Sequence, residues 1–169
     1  MALPSEAHLV AFGRLIHNFA YCEFGIKLVI GGTMRTGIDE TMIALQPYSA
    51  THVHDAAKSL AKEKLNAKIA GKFCQIVGDW FKHNGLRNTV AHSRWTIGDR
   101  PNSIKPQGVS IRRGRVRWLG IKGIDDGAID YTAEDIEAAA RELADVGERI
   151  KVFIQSTGLS PVIDQGAKG

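Results

Sequence analysis

The apolar positions at the start of the chain recur at three- and four-residue steps. Leu9, Phe12, Ile16, Phe19, Ala20, Phe24 and Leu28 form one broad stripe, the period of an amphipathic helix. Ser5 and Glu6 open that helix, and Gly31-Gly32 is expected to end it. Gly13 and Gly25 each weaken it by roughly 1 kcal/mol relative to Ala, which predicts a closely packed neighbour at both. A short second helix is predicted from Ile38 to Leu45, stopped by Pro47. The third follows Ser49 or Thr51 as N-cap and carries Val53, Ala56, Ala57, Leu60, Ala61 and Leu65 at helical spacing. The fourth covers Lys68 to Phe81, with Ile69, Phe73, Ile76, Val77 and Trp80 on one face. Asn84-Gly85 reads as a break or kink, and Leu86 to Trp95 as a further helical stretch.

After Gly98 the period changes. Residues 98–108 hold two prolines and two glycines and read as a loop. Val109 to Gly120 reads as a β-hairpin around Arg113-Gly114. Pairing Arg112 with Arg115 places Ile111 opposite Val116 and Val109 opposite Trp118, which gives one apolar face. The other face takes Ser110, Arg112, Arg115 and Arg117. Residues 125–130 read as a loop. Thr132-Ala133-Glu134-Asp135 is a capping box with Asp in the Glu position. A long amphipathic helix follows through Ile136, Ala139, Ala140, Leu143, Val146, Ile150, Phe153 and Ile154, ended by Gly158 and Pro161.

The expected fold is therefore mainly α: an up-down bundle of about four to five helices, with a β-hairpin near 109–120 inserted before the last long helix. Residues 1–158 read as one helical domain and 159–169 as a flexible tail. A chain of 169 residues, 44% hydrophobic and 24% charged, buries a core without staples. Cys22 and Cys74 show no paired spacing and fit a reducing compartment, as two small buried hydrophobes. Met1 to Ala11 lacks a basic region followed by an apolar run. The most apolar segment, Phe19 to Gly32, is too short to span a bilayer and is interrupted by Glu23 and Lys27. The expectation is a cytoplasmic protein with no membrane contact.

Charge changes the picture more by its distribution than by its sum. Net charge is +4. Arg100 to Ile124 nevertheless holds seven cationic residues and no acidic one, while Asp125 to Arg149 is rich in Asp and Glu. The cationic hairpin face is either a solvated strand face or a surface for RNA phosphates or an acidic partner protein. Trp118 fits the core better than a base-stacking platform.

The residues with the most chemistry are Arg87-Asn88-Thr89-Val90-Ala91-His92. On a helix Asn88 and His92, four apart, share one face. Leu86 and Val90 share another that can enter the core. Arg87 stands about 140° from His92 at 100° per residue, and its long side chain reaches only the edge of the Asn/His face. A cation, an amide and an imidazole beside an apolar anchor are the parts that RNA cleavage needs. The imidazole takes the 2′-hydroxyl proton or protonates the leaving oxygen. The guanidinium matches two phosphoryl oxygens. No metal is required.

The string Leu86 to Trp95, Leu-Arg-Asn-Thr-Val-Ala-His-Ser-x-Trp, resembles the signature of the HEPN superfamily: Arg, a polar residue, three more residues, then His. The resemblance implies a bundle of about four or five helices and homodimers whose two motifs face each other in one cleft. In active members Arg and His serve a metal-independent endoribonuclease, many of them in toxin–antitoxin, antiphage or RNA-processing systems. Others act as binding modules. Carried onto this chain, it makes His92 the general acid/base, Arg87 the phosphate clamp and Asn88 the orienter. Ser93 stands where many members carry Gly, and the basic hairpin is an insertion relative to a minimal bundle. Glu23, breaking an apolar run, is a candidate supporting acid as much as a surface residue. Arg94, Arg112, Arg115 and Arg117 are the candidate contacts to RNA or a partner.

The structural alternative stays open: Arg87 could cap helix carboxyls, and His92 could bond a backbone carbonyl. His8, His17, His52, His54 and His83 lack metal-ligand spacing, and the chain has no Gly-rich phosphate loop. No cofactor or metal is expected. The expected partners are a second copy, RNA, and an antitoxin or other protein.

Overall fold

The computed structural model describes residues 4–112, 115–119 and 129–161. The chain is mainly helical, with a small antiparallel sheet before the last long helix. The helices are α1 (Glu6–Met34), α2 (Ile38–Leu45), α3 (Ala50–Lys64), α4 (Ala67–Phe81), α5 (Asn84–His92) and α6 (Ala133–Thr157). The strands are β1 (Arg94–Ile97), β2 (Ser103–Arg112), β3 (Arg115–Leu119) and β4 (Tyr131–Thr132). Two compact units emerge, each assembled from separate stretches of chain. One takes residues 18–84 and 142–169, the other residues 1–17 and 85–141.

The first unit is all helix. Its core is Phe19, Cys22, Ile26, Val29, Val53, Val77, Trp80 and Leu143, each without exposed surface, with Phe73 and Phe153 stacked at a centroid distance of 5.3 Å. Trp80 places its indole against Phe19 and donates from Nε1 to the Phe19 carbonyl at 3.2 Å, so its one polar atom is satisfied in the interior. Of the two caps expected for α3, Ser49 is the one that forms, accepting from the His52 amide; α4 starts one residue earlier than expected, capped by Asn66, which accepts from the Ile69 amide. Gly25 sits where an added Cβ would lie 2.7 Å from Ile150, so its lost helix propensity permits close packing against α6.

Gly31-Gly32 does not end α1. The helix runs on to Met34 because both glycines are packing positions: a Cβ at Gly31 would meet the Thr41 hydroxyl at 2.4 Å, and one at Gly32 the Leu159 backbone at 2.6 Å. The stop is Arg35, in the left-handed region at φ 57°. The Thr36 amide bonds Gly31 O at 3.0 Å and the Arg35 amide bonds Gly32 O at 3.3 Å, the paired return bonds of a Schellman ending. Gly13, by contrast, has nothing within 4 Å of its Cβ position, and the packing expected there is not seen.

The stripe on α1 also needs correcting. Leu9, Ile16 and Phe24 are exposed, whereas Ala11, Leu15, Phe19, Cys22, Ile26 and Val29 are buried. Steps of three and four fit either series, because this helix is apolar on more than one face, and burial by neighbours selects between them.

The second unit holds the sheet. β1 pairs antiparallel with β2 (Arg94 with Gln107 through Ile97 with Ile104), β2 with β3, and β4 with the start of β2. The hairpin has the expected register: Arg112 pairs with Arg115, Ile111 with Val116 and Val109 with Trp118. The turn at Arg113-Gly114, the side chains of residues 108–119, residues 120–128 and the tail from 162 lie outside the described residues.

Two expectations fail in this unit. Arg94–Ile97 is a strand, against the expectation of a helix through Trp95, and residues 103–108 are strand rather than loop. Trp95, Thr96 and Ile97 are aromatic or β-branched, and the sheet gives them a partner that local periodicity does not reveal. Trp95 is buried against Phe12 and near Tyr131, at centroid distances of 5.0 and 6.2 Å. Pro106, opposite Trp95, falls after the β4 pairing at 103–104 and before the β3 pairing from 108, where its missing N–H is tolerated. The capping box forms in full. The Asp135 amide bonds Thr132 Oγ1 at 3.2 Å, and the Thr132 amide bonds Asp135 Oδ2 at 2.9 Å.

Candidate functional site

α5 carries the Arg/Asn/His cluster. Asn84-Gly85 opens this helix instead of kinking one. Val90 is buried and anchors it, as its spacing predicts, while Leu86 is half-buried. Thr89 donates from Oγ1 to Gly85 O at 3.0 Å, and the Ser93 amide bonds Thr89 O at 3.0 Å as the chain leaves the helix. Sheet pairing begins at Arg94, so α5 ends immediately after His92.

Asn88 and His92 are exposed, one turn apart on the same face. Arg87 is half-buried and donates from Nη1 to Asn88 Oδ1 at 2.7 Å. Arg87 is thus tied to the Asn/His face through the amide. Among the described residues the His92 ring has no hydrogen-bond partner within the chain, and the backbone-carbonyl bond of the structural alternative is not seen. An exposed imidazole, an exposed amide and a guanidinium held by that amide can together receive an anion and exchange a proton with it.

The other candidates are placed as follows. Ser93 is half-buried at the helix exit. Arg94 is exposed and opposite Gln107, an odd position of β2, whereas Ser110–Arg117 and Arg112–Arg115 pair at even positions. The register does not gather the four arginines into one row. Glu23 belongs to the all-helical unit, where it pairs with Lys27 at 2.7 Å, one turn along α1. Its side chain is only 16% exposed, so it is not a free surface acid.

Two polar centres escape a reading of the sequence. In the sheet-bearing unit the Asp130 carboxylate accepts from the Asp99 amide (2.5 Å), the Arg100 amide (2.9 Å) and Ser103 Oγ (3.1 Å). Burial alone would push this carboxyl up, but those donors and Lys105 outweigh it and hold it below the ordinary carboxylate value. Arg100 adds bonds to Asp130 O (2.5 Å) and to the capping Asp135 (2.6 Å). This knot closes the turn at 98–103, where Asn102 takes a positive φ of 56°. In the all-helical unit His83 is buried with Nε2 3.3 Å from Glu142, which also pairs with Lys82 at 2.8 Å. Burial lowers the His83 pKa against the opposing pull of Glu142. Each centre joins residues remote in sequence, so neither leaves a local motif.

Among the described residues no group of His, Cys, Asp and Glu could hold a metal ion, and no helix is long and apolar enough to cross a membrane. These features define a mainly helical protein with an Arg/Asn/His cluster, its Asn and His exposed, on a short helix. No protein-family model, curated protein or solved structure matches the chain.

Proposed function

We propose that this is a HEPN-like, metal-independent endoribonuclease, acting as a homodimer on RNA in a toxin, defence or RNA-processing role. His92 is the general acid/base, Arg87 the phosphate clamp, and Asn88 the residue that orients them. The observation that carries this reading is the exposure of His92 and Asn88 on one helical face with Arg87 bonded to Asn88 at 2.7 Å. A buried, saturated imidazole would have removed it. One α5 offers a single imidazole, whereas cleavage by transesterification uses one group to accept a proton and another to donate one. A second copy of the motif from another subunit supplies the second.

A non-catalytic reading has one observation in its favour. The Arg87 guanidinium bonds Asn88, so the pair can bind a nucleotide or phosphate without any proton transfer. Incubating RNA in EDTA with wild type, His92→Ala and Arg87→Ala separates the two. The nuclease reading expects cleavage by wild type and a loss of about 100-fold or more in His92→Ala. Cleavage that survives His92→Ala removes the assigned role. RNA binding by wild type without cleavage, lost in Arg87→Ala, establishes the binding module instead.

A further inference from the structure

A second candidate site is lined by no residue of α5. It lies within the all-helical unit, between the end of α1, α2 and α3, and measures about 730 Å³. That is a size suited to a small organic ligand. Its walls are Ile30, Met34, Leu45, Tyr48 and Leu60 with two alanines. Met34 and Tyr48 stand 57% and 50% exposed, a cost in water that a ligand would remove.

The polar groups of the wall divide into two kinds. Thr41 is buried and already bonded: its Oγ1 donates to Gly37 O at 2.7 Å and meets Thr36 Oγ1 at 2.8 Å. These hydroxyls close the wall and ask nothing of a ligand. Glu40 and Glu63 are the charged residues of the lining, and no Lys, Arg or His accompanies them. Glu63 has Lys64 at 3.5 Å, but both side chains are more than half exposed, so that pair is weak and readily displaced. The Tyr48 ring adds a face of the kind that attracts an ammonium group.

We propose that this cavity binds a small molecule with an apolar body and one cationic head, an alkyl- or arylalkyl-ammonium. The apolar walls take the chain, and Glu40, Glu63 and the Tyr48 ring take the charge. The inference is independent of the reading of α5, because a wall that carries only negative charge repels phosphate.

Titration calorimetry on the full chain tests it with three probes below their aggregation limits: octyltrimethylammonium, octanoate and octanol. Saturable binding of the ammonium at one site is expected, about tenfold tighter than octanol, with octanoate weaker still. Glu40→Gln/Glu63→Gln, at exposed positions that leave the fold alone, should bring the ammonium down to the level of octanol. Ala44→Trp, which fills the cavity from its exposed edge, should abolish binding of both. Octanoate binding as tightly as the ammonium, no ammonium binding by wild type, or full ammonium affinity in Ala44→Trp would each overturn the proposal.

Discussion

The two units are held together by different physics. The all-helical unit encloses large side chains, Trp80, Phe19 and Phe73 among them, and the Trp80 indole finds its partner in the Phe19 carbonyl. Among its described residues the sheet-bearing unit packs Trp95 against Phe12 and near Tyr131, and collects hydrogen bonds on one carboxylate. Asp130 gathers two backbone amides and a hydroxyl, and Arg100 bridges from it to the cap of α6. The first unit's stability therefore scales with apolar area removed from water, and the second depends more on a directional network that a single lost acceptor can open. The candidate site sits on the second kind of scaffold, where Val90 alone of the α5 residues is buried.

The largest effect expected from this contrast is in the apolar core. Trp80→Ala removes a fully buried indole and should cost about 3–5 kcal/mol in denaturant unfolding. In the other unit Asp130→Ala leaves the Asp99 and Arg100 amides without their acceptor, while Ser103 Oγ keeps Arg100 O, and should cost about 1–3 kcal/mol. If Asp130→Ala proves neutral, the network is ornamental and the contrast collapses.

Acid should separate the two units. His83 has a lowered pKa, so the unfolded chain takes up its proton first as pH falls. The stability His83 contributes is whole above about pH 6.5 and is lost as pH falls through the lowered folded value. The Asp130 contribution is whole above about pH 4 and is lost only as pH falls through its own depressed value. Unfolding free energy followed from pH 8 to 3 should thus decline in two stages, and His83→Gln should flatten the first alone. A single decline below pH 4 in both proteins would show that burial of His83 carries no linkage. Asp79, Lys82 and Glu142 surround His83 and set where the first stage falls.

The smallest effect is chemical. Burial pushes the Cys22 thiol up to about 12, and its sulfur lies 3.2 Å from Leu143 O. Cys74 is only half-buried. Iodoacetamide at pH 8 should modify Cys74 in the native protein and Cys22 only after denaturation. Equal rates at both would mean that the all-helical core opens far more readily than its packing implies.

Much of this was legible in the chain. α2, the Ser49 cap, the face of α4, the hairpin register and the Thr132–Asp135 box follow from local chemistry, because each is settled within a few residues. The α1 stripe was misjudged because Leu9, Ile16 and Phe24 obey the same spacing as the buried residues. β1 and the first half of β2 were missed because their partners lie about ten residues apart across a proline turn. At the site, the shared face of Asn88 and His92 could be read from helical geometry. The bond from Arg87 to Asn88 could not, since it depends on where a flexible guanidinium settles. Asp130 carries no signal at all: its partners are some thirty residues upstream, and only the folded turn at 98–103 reveals them.

The Asp130 knot has a consequence for how this chain can change. It fastens the two ends of the segment from Ser103 to Asp130 to one another, with the Ser103 hydroxyl 3.1 Å from the carboxylate. The strands at that junction, β2 and β4, are paired there as well. A segment clasped at its base transmits little of what happens at its far end to the α6 cap beside the clasp. A change of length between residues 108 and 129 should therefore leave the clasp and the α6 cap in place, with β1 still paired to residues 104–107.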